Sequence, residues 1–271
     1  MAFEILNTGQ SSQKIFLESD LCSVNISSTS KTFDFLNPIK ANSGNNISLK
    51  VIDFEIPVSW YTVNELNNKI VVDGVTYTLV SQNYNAYELS QALTTLLPNI
   101  TVTFQTQSSK FLFVGTSSFI LGASSCHKLI GMDFVIYNST ASLLSTNVVD
   151  LAGEKNLYIE LSIANASITN YGDSHIVCKI PISVGSMELL CYDNITDVSL
   201  LLVDKTIKKL NVSLIDHQGN PFQNNELNGI DWSLTIGVDF IQSRAINDSL
   251  NRNISQDEKL NQIQENMLND I

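Results

Sequence analysis

The sequence predicts a mainly β protein, a sandwich of two sheets that is interrupted by a small α/β module. Apolar and polar residues alternate near the N-terminus and again between residues 157 and 242, as they do in half-buried strands. Between these regions, leucines recur at helical spacing. With 44% hydrophobic and 15% charged residues, the 271-residue chain can bury a substantial core.

The stretch from Ile47 to Ile56 is the longest alternating run in the N-terminal half. Its apolar positions fall into two phases, namely Ile47, Leu49 and Val51, then Ile52, Phe54 and Ile56. A shift of one residue within a strand predicts a β-bulge. Pro57 lacks a backbone donor and predicts the end of the strand. The large residues Trp60 and Tyr61 and a polar run then predict an ordered loop.

The residues before this strand predict a loose N-terminal arm, a first strand and a hairpin. Phe33, Phe35 and Ile39 alternate, and the turn-forming cluster Asn42–Asn46 leads into the strand that begins at Ile47. A turn between two alternating runs is typical of a hairpin, so we expect these two strands to pair.

Residues 69–137 predict the inserted α/β module. Two β-rich runs flank Asp73 and Gly74, a strong hairpin signal. A helix follows, with Asn85 as its cap and Pro98 as its stop. Its apolar stripe consists of Leu89, Leu93, Leu96 and Leu97.

The module continues with a second hairpin, whose strands contain Phe104 and Phe111 and whose turn lies at residues 107–109. Ser124 and Ser125 then predict the cap of a short helix over residues 126–130, which Gly131 closes.

The strand pattern returns after residue 157. Alternating runs are centred on Ile159, Ile180, Leu190, Val212 and Ile236. Together with residues 1–68, they supply roughly eight strands, the number of a jelly roll. We therefore predict a single jelly-roll domain from residues 1–68 and 138–242.

Residues 243–271 predict a C-terminal tail that is partly helical. Ile246 and Leu250 are followed by a capping-box pattern at Ser255–Glu258. The apolar stripe behind this pattern consists of Leu260, Ile263, Met267 and Ile271. This apolar stripe is too short to stabilise an isolated helix. The tail is therefore either a mobile, partly helical terminus or an element that docks on a neighbour.

Charge and targeting signals narrow the function. The 27 acidic and 15 basic residues give a formal net charge of -12, which repels nucleic acid and anionic lipid surfaces. The N-terminal residues show no signal peptide, and no apolar run has the length of a membrane span. We expect a protein made without a signal peptide that binds neither nucleic acid nor membrane.

The residues that could carry catalysis are scattered. His127, His175 and His217 lie in three separate segments. We expect each of them to be an ordinary loop or surface residue without a catalytic role. Asp53 and Glu55 share one face of a strand, as the polar face of any half-buried strand predicts. We expect no enzyme, no cofactor and no metal site.

The four cysteines are Cys22, Cys126, Cys178 and Cys191. Their spacing fits neither a zinc site nor a redox motif, so we expect buried free thiols.

Three segments resemble one family. The first is an Ile-Pro pair at the end of a strand, followed by an aromatic pair and an N-x-x-N-N run; its residues are Pro57, Trp60, Tyr61, Asn64, Asn67 and Asn68. The second is the run from Tyr84 to Leu89, then Phe111–Phe113 and Leu129–Met132. The third is the sequence of a D-x-x-G-x-P turn and a W-x-L-x-I strand, with Asp216, Gly219 and Trp232.

In this order, the segments resemble the penton (vertex) and minor capsid proteins of virophages, polinton-like elements and large DNA viruses of the adenovirus and tectivirus lineage. The resemblance covers roughly residues 46–240 of the sequence. It implies a virion protein with a single jelly roll that forms a homopentamer at the capsid five-fold vertex. It also implies contacts with a major capsid protein, and the tail could contact other minor capsid proteins. A host-surface or carbohydrate-binding β module for adhesion remains the alternative.

Overall fold

The computed structural model describes residues 12–138, 141–163, 167–169, 172–194 and 199–242 of the protein. These residues form several antiparallel sheets and little helix, so the prediction of a mainly β protein is confirmed. The predicted N-terminal arm, over residues 1–11, and the predicted helical tail, over residues 243–271, lie outside the described residues.

The strands are numbered in chain order. They are β1 (Ser12–Glu18), β2 (Val24–Ser27), β3 (Ser30–Lys40), β4 (Asn45–Pro57), β5 (Lys69–Val72), β6 (Val75–Thr78), β7 (Ile100–Gln105), β8 (Lys110–Gly115), β9 (Ile120–Leu121), β10 (Tyr137–Asn138), β11 (Ser142–Leu144), β12 (Asn156–Leu161), β13 (Ser167–Thr169), β14 (Gly172–Ser174), β15 (Ile176–Pro181), β16 (Leu189–Asp193), β17 (Leu200–Leu201), β18 (Thr206–Ile215) and β19 (Ser233–Gln242). The helix α1 spans Ala86–Leu96, a short 3-10 helix spans Ser19–Leu21, and a turn that includes left-handed residues spans Phe222–Asn225.

The described residues form two compact units. The sandwich unit contains residues up to 57, residues 157–180 and residues from 189 onward. The inserted unit contains Val58–Asn156 and Pro181–Glu188. The sequence pattern puts the boundaries of the insertion at residues 69 and 137 instead. That either part folds as an independent domain stays a prediction.

The sandwich unit is built from two five-stranded antiparallel sheets. Sheet 1 has the order β1-β19-β4-β16, and β17 also pairs with β4. Sheet 2 has the order β15-β12-β18-β3-β2. The short hairpin β13–β14 is separate from both sheets. Besides the roughly eight strands predicted for a jelly roll, the unit therefore contains β2, β17 and this hairpin.

Most steps between the long strands of this unit lead from one sheet to the other. β1 belongs to sheet 1, β3 to sheet 2 and β4 to sheet 1; later in the chain, β16, β18 and β19 belong to sheets 1, 2 and 1. The predicted hairpin between β3 and β4 is therefore wrong. The turn after β3 carries the chain from one sheet to the other, and β3 pairs with β18 and β2.

Strand β4 contains the predicted bulge, which is confirmed. Thr235 of β19 lies opposite Asp53, but the next residue, Ile236, lies opposite Val51, so Ile52 has no direct partner on β19. On the other edge, the backbone N–H and the side-chain amide of Asn194 donate to the carbonyls of Ile52 and Val51, both at 2.8 Å. The bulge keeps Val51 and Phe54 buried although they lie three positions apart.

Trp232, just before β19, packs at the centre of the sandwich unit. Its ring centroid lies 6.3 Å from that of Phe33 in sheet 2 and 6.2 Å from that of Phe54 in sheet 1. The indole N–H donates to the carbonyl of Ser28 at 3.2 Å, and the backbone N–H donates to Ser19 Oγ at 2.9 Å. The residue thus joins the two sheets while all its donors remain paired.

The inserted unit has a core of its own, and its helix and both predicted hairpins are confirmed. Asp73 and Gly74 have φ values of 51° and 78° between the paired residues Val72 and Val75, as a type I′ turn requires. Strands β7 and β8 pair along their whole length, from Ile100 opposite Gly115 to Gln105 opposite Lys110. They pack with α1 around buried leucines and phenylalanines.

The Asn85 cap of α1 is confirmed in detail. Its side chain accepts hydrogen bonds from the backbone N–H groups of Tyr87 and Glu88, at 3.0 and 2.9 Å. Glu88 accepts in return from the backbone N–H of Asn85 at 2.9 Å, which completes a capping box.

The short helix predicted over residues 126–130 is wrong. This segment is a succession of turns, because its hydrogen bonds change their spacing at each step. Ile130 N–H donates to Cys126, Gly131 N–H to Lys128 and Met132 N–H to His127. Gly131 adopts a φ of 68° as predicted for a closing glycine, but no regular helix precedes it.

We expect Trp232→Ala to lower the free energy of unfolding of the sandwich unit by about 3–5 kcal/mol, because it removes contacts with both sheets and leaves a cavity. Urea unfolding followed by circular dichroism measures the change. Leu36→Ala is the control: Leu36 is fully exposed, and its truncation should change stability by less than about 0.5 kcal/mol. Equal effects of the two substitutions would contradict the central role of Trp232.

Candidate functional site: the motif segments and exposed surfaces

The N-x-x-N-N residues fold the loop that follows β4. Asn67 Oδ1 accepts from the backbone N–H of Asn64 at 2.8 Å, and Asn67 Nδ2 donates to the carbonyl of Thr62 at 2.9 Å. Asn64 Oδ1 accepts from the backbone N–H of Leu66 at 3.0 Å, and Asn64 Nδ2 donates to the carbonyl of Tyr61 at 3.2 Å. The two amides therefore replace backbone hydrogen bonds in a loop without regular structure.

Asn68 ends this loop inside the inserted unit. It is buried, and its Nδ2 and backbone carbonyl pair with the carbonyl and N–H of Leu79, at 3.3 and 2.8 Å. Among the described residues, its Oδ1 is one of two buried side-chain atoms without a hydrogen-bond partner. Trp60 of the same motif is buried, whereas Tyr61 is exposed and Pro57 is the half-buried last residue of β4.

The D-x-x-G-x-P segment is a turn closed by one carboxylate. Asp216 Oδ1 accepts from the backbone N–H groups of Gln218 and Asn220, at 2.7 and 2.9 Å. Gly219 has a φ of 84°, which favours glycine, and its N–H donates to the carbonyl of Asp216 at 3.2 Å. Ile215 and Pro221 form a bridge at the base, so the motif reverses the chain after β18.

A left-handed segment follows this turn and contacts the surroundings of Trp232. Gln223, Asn224 and Asn225 have φ values of 48°, 52° and 67°. The hydroxyl groups of Ser28 and Thr29 donate to the carbonyl and to the side-chain oxygen of Asn225. Ser28 is also the residue whose carbonyl accepts from the Trp232 indole. The third motif thus builds one connected part of the sandwich unit.

Within the part of the chain that the structure describes, the histidines lie apart from one another. His127 Nδ1 lies 3.1 Å from the carbonyl of Ser124, and its ring contacts Phe134. His175 and His217 are exposed, and they belong to the sandwich unit. Asp53 and Glu55 lie on the outer side of β4, opposite Asp193 and Cys191 of β16. Within the described ranges, no cluster of His, Cys, Asp or Glu could hold a metal ion.

The prediction of free thiols is confirmed, but the prediction that all four are buried is wrong. Cys126 and Cys178 are buried, Cys22 is half-buried and Cys191 is exposed. Burial raises the pKa of the Cys126 thiol to about 12 and also raises that of Cys178. Cys191 lies on β16, at the edge of sheet 1, where its side chain alternates with the buried Leu190.

Two exposed apolar surfaces were missed at the level of sequence. The β2 flank consists of Leu21, Val24 and Ile26 on and just before an edge strand of the sandwich unit. The apolar tip consists of the consecutive exposed residues Phe134, Val135 and Ile136 of the inserted unit. The sequence does contain a signal for the apolar tip, because residues 134–136 are an apolar run outside every predicted strand and helix.

Hydrogen bonds at Asp133 hold the base of the apolar tip. The Asp133 carboxylate accepts from Asn147 Nδ2 at 3.0 Å and from the Tyr137 hydroxyl at 3.1 Å. These hydrogen bonds, that of Asn147 first, lower the pKa of Asp133. The carboxylate therefore stays ionised at neutral pH and anchors both ends of the exposed segment.

Among the described residues, none of the helices has the length and apolar character that a membrane crossing requires.

We expect Asn67→Ala to destabilise the loop after β4 by about 1–3 kcal/mol, because it leaves Asn64 N–H and Thr62 carbonyl without their partner. Asn67→Asp keeps the acceptor for the Asn64 N–H but sets a carboxylate oxygen against the Thr62 carbonyl, so it should also destabilise the loop. Urea unfolding and the rate of proteolysis in residues 58–68 measure both. Glu65→Ala, at an exposed position of the same loop, is the control.

The thiols should differ strongly in reactivity toward a disulfide reagent at about pH 8. Cys191 should react first because it is exposed, whereas Cys126 should react only when the inserted unit unfolds, because its thiolate is scarcely populated. Mass spectrometry of peptides after timed labelling assigns each site. Rapid labelling of Cys126 in the folded protein would contradict the burial described here.

No family model matches the sequence, and no curated protein matches it. Among solved structures, the chain is similar to the mavirus penton protein, with a TM-score of 0.49 and 10% identity over 86% of this chain and 99% of that chain. It is also similar to a chain of the Sputnik virophage structure, with a TM-score of 0.41 and 10% identity over 87% of this chain and 98% of that chain.

Proposed function

We propose that this protein is a structural virion protein, a penton or minor capsid protein that occupies the five-fold vertex of a capsid. The observation that carries the proposal is the position of the three motif segments relative to the strands. The first motif ends β4 where the inserted unit begins, the second spans that unit, and the third connects β18 to β19. The segments that resemble one family therefore occur at the connections between the main elements of this fold.

We infer that the sandwich unit is a jelly roll, and its strand order supports this. Eight strands divide equally between the sheets: β1, β19, β4 and β16 in sheet 1, and β15, β12, β18 and β3 in sheet 2. The chain crosses between the sheets three times from β1 through β3 and β4 to β12, stays in sheet 2 from β12 to β15, and crosses three times again from β15 through β16 and β18 to β19, as in a double Greek key. β2 extends one edge of sheet 2, and β17 pairs with β4 beside β16.

The contacts of the motif residues support a structural role. Asn64, Asn67 and Asp216 direct their polar atoms at backbone groups of their own loops, and Trp232 fills the core. Such residues hold a scaffold in shape; they do not converge on a space where a substrate could bind. A scaffold with precisely held loops suits a protein whose task is to assemble with copies of itself and with a major capsid protein.

For a homopentamer, the β2 flank is the surface that we propose as one side of the subunit contact. A cyclic assembly joins one flank of each subunit to a different flank of the next. The net charge of -12 per subunit opposes association, so the contact needs apolar side chains such as those of Leu21, Val24 and Ile26. Screening of the remaining repulsion by salt should tighten assembly.

The alternative function is adhesion through a host-surface or carbohydrate-binding site. The exposed Phe134 in the apolar tip is the observation that favours it, because exposed aromatic rings stack on sugars and fill pockets of partners. Glycan-array binding that Phe134→Ser abolishes would support adhesion. Copurification with a major capsid protein of the double-jelly-roll type would support the virion role, as would location in purified virions.

We expect native mass spectrometry to detect pentamers whose fraction rises with ionic strength, and we expect Val24→Asp to abolish them. The substitution adds a negative charge to an apolar contact between subunits that are already negative. Val75→Asp is the matched control: Val24 and Val75 are 48% and 52% exposed, but Val75 belongs to a hairpin of the inserted unit and not to the β2 flank.

Several results would contradict the vertex proposal. A stable trimer would move the protein to a minor or fibre-like role, and equal loss of pentamers in both variants would show that the β2 flank is not the contact. Thermal unfolding of each variant, monitored by circular dichroism, checks that the sandwich unit remains folded.

A further inference from the structure

An apolar patch lies at the end of sheet 1 that contains Gln242, the last residue of β19. We call Leu201 and Val203 the β17 patch; they are 51% and 88% exposed. Leu201 pairs with Ser48, which points away from the core because its neighbours Ile47 and Leu49 are buried inside. Leu202, between the two, is buried, and its N–H donates to the carbonyl of Ile47 at 2.8 Å. The patch therefore faces outward on sheet 1.

We propose that residues 243–271 of the same chain fold back over the β17 patch, with Ile246 and Leu250 covering Leu201 and Val203. This inference does not depend on the role in a capsid. It rests on the position where β19 ends, on the chemistry of the patch and on the sequence that follows Gln242.

The distance from Gln242 to the patch is short enough. Gln242 pairs with Asn45 on one edge of β4, and Leu202 pairs with Ile47 on the other edge. Two strand spacings, roughly 10 Å across the sheet, and an offset of two residues along β4, roughly 7 Å, therefore separate Gln242 from Leu202 by about 12 Å. The four steps from Gln242 to Ile246 span about 13 Å in an extended chain, so Ile246 can reach the patch.

The residues after Gln242 also match the patch in chemistry. Ile246 and Leu250 are four positions apart and would share one face of a helix. Asp248 between them is opposite in charge to the exposed Lys40 and Lys205. These two lysines lie on neighbouring segments, because the N–H of Ala41, next to Lys40, donates to the carbonyl of Lys205 at 2.9 Å. Arg244 is opposite in charge to the exposed Asp204.

A buried hydroxyl beside the patch supports the same occupant. Ser48 Oγ belongs to a residue that is 1% exposed, and within the described part of the chain this oxygen has no hydrogen-bond partner. A buried hydroxyl normally finds a partner. The polar residues next to Ile246, such as Asn247, can supply one, whereas an apolar partner could not.

The test is limited trypsin digestion of the full chain, with mass spectrometry of the products. Trypsin can cut the segment after Arg244, Arg252 and Lys259. We expect the double variant Leu201→Ser, Val203→Ser to raise the rate of cleavage after Arg252 about tenfold, because it removes the apolar cover that protects the segment. Leu36→Ser, at an exposed position of the same unit, should leave the rate unchanged.

A second measurement approaches the contact from the other side. Ile246→Ser with Leu250→Ser should raise cleavage by a similar factor and also speed hydrogen exchange in residues 199–206. A chain that ends at Gln242 should show the same faster exchange. If the patch variant misfolds, these two chains still test the contact.

Unchanged cleavage and unchanged exchange in all three chains would overturn the proposal. Protection that increases with protein concentration, or an oligomer that is lost when the chain ends at Gln242, would show that the segment covers a second copy instead, and it would equally overturn the fold-back within one chain.

Discussion

The register of β4 is the constraint on which the sandwich unit depends. This strand pairs with β19 along one edge and with β16 and β17 along the other. A slip of one residue would turn Ile47, Leu49 and Phe54 to the outside and Lys50 to the core. The bulge at Ile52 shifts by one residue which side chains of β4 face the core, and the new register holds for the rest of the strand. Asn194 pairs with the backbone at the bulge from the other edge of β4.

Local patterns predicted what local chemistry determines. The one-residue shift in the apolar pattern of β4 predicted the bulge. Asp73 and Gly74 predicted a two-residue turn, and Asn85 with Glu88 predicted a capping box. The pairing of β3 with β18 was not predictable in this way, because a turn signal does not state whether the next strand joins the same sheet. The two-residue strands β9 and β10 are too short to show an alternating pattern. They are strands only because they pair with residues elsewhere in the chain. The motif residues were located by resemblance, whereas their roles in closing turns required the hydrogen bonds.

Asparagine has a consistent structural use in this protein. Asn64 and Asn67 shape one loop, Asn83 accepts from Thr62, Asn194 closes the bulge and Asn220 donates to Asp216. A short amide can both donate and accept, and it tolerates left-handed backbone, as Asn225 does here. The chain therefore connects long strands through irregular loops that amide side chains keep ordered, together with a few carboxylates such as that of Asp216, in keeping with its low charged fraction of 15%.

The pairing of β1 with β19 has a consequence for biosynthesis. The first described strand cannot complete its place in sheet 1 until the last one has left the ribosome, and β4 also waits for β19. The hairpins and helix of the inserted unit, by contrast, form among residues close in sequence, so they can condense while the sandwich strands are still being made. During that interval, unpaired β4 exposes a long apolar edge, and a nascent chain in that state is the form most prone to aggregate or to require a chaperone.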